Sequence, residues 1–220
     1  MSASDGIPIE GFLRVSPVIP VVTITDAGQA VPLARALVRG GIRVVEITLR
    51  TPVALDAIRA VASEVPEISL GAGTVLGVRD LENAARAGAA FAISPGATPA
   101  LLSAAKGGSI PFLPGVATPS DVMLALEFGF DHLKVFPASV FGGVDALNAL
   151  RGPFPGVRLC PTGGITIESA PRYLALANVC CVGGSWLTPA SALASSNWAQ
   201  VEQLARQAVS TLGRAPTIKT

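Results

Sequence analysis

The chain has a single histidine, His132, three cysteines, and charged residues at only 14% of its 220 positions. One histidine excludes the multi-histidine centre that a zinc aldolase or a metal-dependent epimerase would need. A magnesium ion held by carboxylates alone stays open, but nothing indicates it. Cys160, Cys180 and Cys181 are odd in number and lie in apolar, strand-like stretches, which fits reduced buried thiols rather than a disulfide framework. The formal net charge is +1 and no Lys/Arg cluster occurs, so there is no electrostatic footprint for nucleic acid. Long hydrophobic runs are also missing. The stretch from Val15 to Ile24 is interrupted by Pro17 and Pro20 and is too short to span a bilayer, and Met1 to Glu10 lacks the basic start of a secretory signal. These absences point to a cytoplasmic protein with small-molecule partners, no nucleic acid and no membrane.

What is plentiful is apolar surface. Hydrophobic residues make up 50% of the chain, enough for a large core and for some outer surface to be covered by sister subunits. The length suits one domain, slightly shorter than the ~250 residues common for an eight-fold β/α barrel. No linker divides it, so residues 1–220 read as a single unit.

A short apolar run, a turn and an amphipathic helix recur along the chain. The runs Val18–Val22, Val44–Thr48, Ser69–Gly73, Phe91–Ser94, Pro111–Gly115, Leu133–Phe136, Arg158–Pro161 and Val179–Gly183 read as strands. Their ends repeat roughly every 20 to 26 residues, the length of a strand plus a crossover helix. Strands that are apolar throughout suit a parallel sheet covered on both faces, and eight of them suit closure. The expected fold class is therefore α/β, a single (β/α)8 TIM barrel with parallel strands and an N-terminal extension. Thr51-Pro52, Thr98-Pro99, Thr118-Pro119 and Thr188-Pro189 look like helix starts, threonine as the cap and proline as the first helical residue. Ala30, Leu33, Ala34, Leu37 and Val38 mark one helix face; Leu55, Ile58, Ala62 and Val65 mark another. Asn197 to Leu212 is a longer final helix, and Arg214 to Thr220 reads as a frayed tail.

In such a barrel the chemistry gathers where strands end. Lys134 lies in Asp131-His132-Leu133-Lys134-Val135-Phe136-Pro137-Ala138, one amine among apolar neighbours. Desolvation disfavours a charged amine, and a neutral one attacks carbonyl carbon, so a Schiff-base enzyme is the leading reading. Alone, the same lysine could equally be a stem packed on the barrel wall with its head in water. Glu46 and Arg50, at the end of strand two, would fit an ion pair closing the mouth as well as catalysis. Beside the lysine, a carboxylate can shuttle protons and an arginine can grip a carboxylate, a combination that suits a keto acid. Strand three ends in Thr74 and strand four in Ser94-Pro95-Gly96. Strands seven and eight end in Thr162-Gly163-Gly164 and Gly183-Gly184-Ser185, whose paired glycines match the usual phosphate site of a barrel. Phe136 would pack and exclude water, and His132 is expected on the strand face opposite the chemistry. Asp26, Asp80 and Glu168 look like caps or first-turn acids.

These residues resemble the 2-keto-3-deoxy-6-phosphogluconate aldolases, the KDPG/KHG class I aldolase family. Gly41 through Arg50 looks like their glutamate-bearing signature and Gly129 through Gly142 like their Schiff-base lysine signature. Gly71-Ala72-Gly73-Thr74, Ile93-Ser94-Pro95-Gly96, Pro161-Thr162-Gly163-Gly164-Ile165 and Gly183-Gly184-Ser185-Trp186 match in order and spacing, so the similarity covers nearly the whole chain. Val135 departs from the family, which more usually has Phe or Leu after the lysine; the residue stays apolar.

The resemblance implies a metal-independent carbon–carbon lyase of the Entner–Doudoroff pathway, without a cofactor. Its substrate would be a keto-acid phosphate, 2-keto-3-deoxy-6-phosphogluconate, cleaved to pyruvate and glyceraldehyde 3-phosphate by a homotrimer. It assigns the imine to Lys134 and proton transfer to Glu46. Arg50 and Thr74 would hold the substrate carboxylate, Pro95, Phe136 and Thr162 would shape the pocket, and Gly163, Gly164, Gly184 and Ser185 would hold the phosphate. The alternatives are a related aldolase acting on 4-hydroxy-2-oxoglutarate or 2-keto-3-deoxy-6-phosphogalactonate, a different phosphate-binding barrel enzyme, or a sugar-phosphate binding protein without catalysis.

Overall fold

In the computed structural model, which describes residues 7–213, the short β-branched and apolar runs are extended and the amphipathic stretches between them are helical. The strands are β1 (Val18–Val22), β2 (Val44–Thr48), β3 (Ser69–Gly73), β4 (Phe91–Ile93), β5 (Phe112–Leu113), β6 (Gly115–Val116), β7 (His132–Val135), β8 (Arg158–Pro161) and β9 (Val182–Gly184). The helices are α1 (Ile9–Leu13), α2 (Ala30–Arg39), α3 (Ala54–Glu64), α4 (Val78–Arg86), α5 (Pro99–Lys106), α6 (Pro119–Glu127), α7 (Gly143–Leu150), α8 (Ala170–Leu174), α9 (Ala190–Ala194) and α10 (Trp198–Leu212). All pairings between these strands are parallel. They form a six-stranded sheet in the order β5-β4-β3-β2-β1-β9 and a three-stranded sheet β6-β7-β8. The expected tail at Arg214 to Thr220 lies outside the described residues.

Pro114 divides the two sheets. The expected strand Pro111–Gly115 is two pieces, β5 pairing with β4 and β6 with β7. Proline brings no N–H to a ladder, yet its carbonyl still accepts from the Lys134 N–H at 2.9 Å. On the other side, the parallel bridges Leu159↔Val179 and Thr162↔Gly183 join β8 to the chain around β9. The last strand, expected from Val179, starts at Val182 because the Val179 N–H turns back to the Leu176 carbonyl.

Side chains alternate across each strand, and the alternation builds two layers. Val45, Ile47, Leu133, Val135 and Leu159 face outward and pack with Leu33, Leu37, Ile58 and Val61 of the helices. Ile19, Val44, Phe91, Ile93, Leu113 and Cys160 cluster separately with Phe12 and Leu13 of α1. The N-terminal extension thus supplies a plug, with Phe12 stacked on Phe91 at 4.8 Å between ring centres. Burying these two side chains contributes about 2–3 kcal/mol each. Glu46 and Lys134 share the parity of Val44 and Cys160's partner position on β7, so alternation alone turns both toward the inside.

Two of the four Thr-Pro pairs start helices and two do not. Thr98 caps α5 and Thr118 forms a reciprocal capping box with Asp121 on α6. Thr51 and Thr188 do not cap: their hydroxyls donate to the carbonyls of Ile24 and Ser185, and α3 and α9 begin at Ala54 and Ala190 without a side-chain cap. That later start rephases α3, whose buried face is Ala54, Ala57, Ile58 and Val61; Ala62 is exposed, and Val65 is buried but non-helical. Asp26 and Asp80 accept the backbone N–H groups of Gly28 and Leu76, as expected of terminal acids.

Candidate active site

Lys134 and Glu46 meet across the interior. Lys134 Nζ donates to Glu46 Oε1 at 3.2 Å, with the side chains only 4% and 2% exposed. The contact joins positions 88 residues apart, on β7 and β2. Lys134 Nζ also lies 5.4 Å from the centre of the Phe136 ring, which shields it from solvent. Glu46 reaches the lysine by lying over β3 where Gly73 has no side chain. A Cβ there would come within 1.9 Å of Glu46 Oε1.

Arg50 does not pair with Glu46. It is exposed at the mouth, and its Nε–H donates to Thr74 Oγ1 at 3.0 Å. Thr74 holds φ +59, in the left-handed region, where a β-branched residue is strained. Because Arg50 occupies a lone pair on the Thr74 oxygen, the threonine's own hydrogen remains available to an acceptor such as a carboxylate.

Beside this pair, a cavity of about 170 Å³ is lined by Val21, Thr23, Arg50, Phe136, Thr162, Gly163, Gly164, Ile165, Gly183, Gly184 and Ser185. It brings together Arg50, Phe136, Thr162 and all four expected phosphate residues at the C-terminal ends of the strands. The Ala138 and Ser139 N–H groups donate to the Thr162 and Gly163 carbonyls at 2.8 and 3.2 Å, tying the lysine loop to the glycine turn. Gly164 has φ +73, and a Cβ there would fall 1.9 Å from Ser139 Oγ, so both conformation and space demand glycine. Pro95 is set apart from this cavity. Its carbonyl abuts Gly115, where the two sheets meet.

A larger cavity, about 390 Å³, opens at the other end of the strands around Ile7, Ile110, Phe130 and His132. His132 is two residues from Lys134 on β7 and so shares its strand face, contrary to expectation; it is kept from the chemistry by lying at the opposite end, with Nδ1 2.7 Å from Asp131. The three cysteines are buried and unlinked. Hydrogen bonding to Cys160 and Cys180, reinforced by burial, holds the Cys181 thiol well above the ordinary range, which keeps it protonated and unreactive.

Sequence reading missed Thr23, Thr48 and Gly73. Thr23 lies one position beyond β1, as Arg50 lies just beyond β2, and the end of β1 was left unread.

The family model for KDPG and KHG aldolases matches residues 9–204, most of the chain and every residue of this site. The chain belongs to the KDPG and KHG aldolase family. The KHG/KDPG aldolase of Escherichia coli K12 is 52% identical over 200 residues, spanning 91% of this chain and 94% of that protein. Among solved structures, the KDPG aldolase of Legionella pneumophila, with pyruvate captured as a covalent carbinolamine intermediate, superposes with a TM-score of 0.89 at 45% identity, covering 90% of this chain and 97% of the other. The 2-keto-3-deoxy-6-phosphogluconate aldolase of Zymomonas mobilis, solved with 3-phosphoglycerate, gives 0.87 at 47% identity, with 91% and 94% covered. In this member of the KDPG and KHG aldolase family, a buried amine–carboxylate pair lies beside a glycine-rich cavity.

Proposed function

We propose that the chain is a class I aldolase cleaving 2-keto-3-deoxy-6-phosphogluconate to pyruvate and glyceraldehyde 3-phosphate through an imine on Lys134. The observation that carries this is the Lys134–Glu46 contact of 3.2 Å, buried at the strand ends next to the cavity. The lysine nitrogen adds to the substrate ketone, and loss of water leaves an iminium. Glu46 takes the proton of the C4 hydroxyl as the C3–C4 bond breaks. The bond's electron pair moves into the iminium, forming an enamine and releasing the aldehyde. Protonation of the enamine carbon and hydrolysis then free pyruvate and restore the amine. Arg50 and the Thr74 hydroxyl hold the substrate carboxylate. The amides of Gly163, Gly164 and Gly184 with the Ser185 hydroxyl hold the phosphate, Phe136 and Thr162 line the chain between, and Pro95 braces the wall at β4. Binding both ends away from the breaking bond orients the reacting centre. The paired glycine turns favour this phosphorylated substrate over 4-hydroxy-2-oxoglutarate.

The same reading takes residues 1–220 as one domain and the two sheets as arcs of one closed (β/α)8 barrel, supported by the short break at Pro114 and the bridges from β8 toward β9. Assembly is as a homotrimer, supported by exposed Val140, Phe141, Leu76 and Met123, and location is cytoplasmic, where the Entner–Doudoroff pathway runs. Among the described residues no helix is long and apolar enough to cross a membrane. The test is borohydride reduction in the presence of pyruvate followed by peptide mass spectrometry. The adduct is expected on Lys134 and absent from Lys134→Ala; an adduct that persists in the variant overturns the assignment.

A further inference from the structure

Thr23, in the cavity lining, and Thr74, which bonds the lining residue Arg50, present opposite polarity to a ligand. Thr48, fully buried, donates its hydroxyl hydrogen to the Val22 carbonyl at 3.0 Å. It has no second hydrogen, so in its 2.9 Å contact with Thr23 Oγ1 the donor is Thr23. Thr23, exposed and lining the cavity, therefore offers lone pairs only. Thr74 is the converse: its oxygen accepts from Arg50, and its hydrogen is left to give.

This difference sorts ligand groups. Carboxylate and phosphate oxygens are acceptors, and an oxygen with only lone pairs repels them. A hydroxyl on the ligand donates to such an oxygen. Thr23 shares the cavity with Arg50, where the carboxylate end belongs, and with Gly184 and Ser185, where the phosphate belongs. The hydroxyl that ionises during cleavage must reach Glu46, which is only 2% exposed, whereas Thr23 stands at the open side. We propose that Thr23 is a specificity-determining residue that accepts a hydrogen bond from the remaining chain hydroxyl, the one next to the phosphate-bearing carbon. The proposal rests on the aldolase reading and adds a preference for 2-hydroxylated aldehydes to it.

The experiment runs the reaction in the condensing direction, with pyruvate and either glyceraldehyde 3-phosphate or 3-oxopropyl phosphate, which lacks the hydroxyl. The measured quantity is the ratio of the two kcat/KM values. Thr23→Val keeps the shape and removes the acceptor, and should lower that ratio about 3- to 10-fold, the range of one neutral hydrogen bond. Thr23→Ser restores the oxygen and should return the ratio to within about twofold of the parent. A ratio unchanged in Thr23→Val overturns the proposal, whether both substrates are unaffected or both lose equally. So does a Thr23→Ser variant that behaves as the valine does. If the parent protein turns over neither aldehyde and forms no borohydride-trapped pyruvate adduct, the aldolase reading itself falls and the Thr23 proposal with it.

Discussion

Replacing Gly73 by alanine tests how the Lys134–Glu46 pair is held. Gly73 does not have positive φ, so alanine fits the backbone and the effect comes from its methyl group. That carbon would lie 1.9 Å from Glu46 Oε1 and 2.5 Å from Glu46 Cδ and Cγ. Nonbonded carbon and oxygen stay more than about 3 Å apart, so the carboxylate must retreat by roughly 1 Å. Starting from 3.2 Å, that shift stretches the contact with Lys134 beyond hydrogen-bond range. A misplacement of about 1 Å in a reacting group costs roughly 10²-fold in rate. Pyruvate release from the phosphorylated keto acid, coupled to lactate dehydrogenase, should show kcat reduced about 10²-fold with KM little altered, because Arg50 and the glycine turns are untouched. Circular dichroism should match the parent. In a Glu46→Ala background the three atoms nearest the methyl group are gone, so adding Gly73→Ala should change kcat by less than about twofold. A Gly73→Ala enzyme with parental kcat, or losses that multiply in the double variant, would refute the reasoning.

Ser185→Asp places a carboxylate among the glycine turns, and like-charge repulsion should raise KM for the phosphorylated substrate more than 10-fold while pyruvate trapping on Lys134 continues; unchanged KM moves the phosphate elsewhere. Asp121 is subject to burial, which opposes its ionisation, but hydrogen bonds from the Ala117 and Thr118 amides and the Thr118 hydroxyl outweigh it and hold the carboxyl below the ordinary aspartate range. A depressed value stabilises the fold above the unfolded pKa and the contribution is lost as pH falls through the folded one. Asp121→Ala should therefore cost about 1 kcal/mol at pH 7 and nothing in acid below both values, as read by denaturant unfolding. A cost independent of pH would show that the lost charge is irrelevant.

Much of this protein was legible in its sequence, because the deciding physics is local. Alternation along β2 and β7 turns Glu46 and Lys134 inward whatever their partners, and Thr98-Pro99 and Thr118-Pro119 start helices through contacts spanning three residues. The ordered motifs placed the candidate residues at the strand ends. Other features depended on neighbours supplied by distant segments. Thr51-Pro52 has the same letters as Thr98-Pro99, but a carbonyl of Ile24 takes its hydroxyl. His132 has the parity of Lys134, and only the length of β7 separates it from the site. Gly73 matters because Glu46 crosses above it, and Thr23 has its polarity because a buried Thr48 has spent its one hydrogen on Val22. A hydroxyl can donate or accept, and a glycine can be a turn or a gap. Such choices are made by the groups that packing brings alongside, and only the tertiary structure decides those.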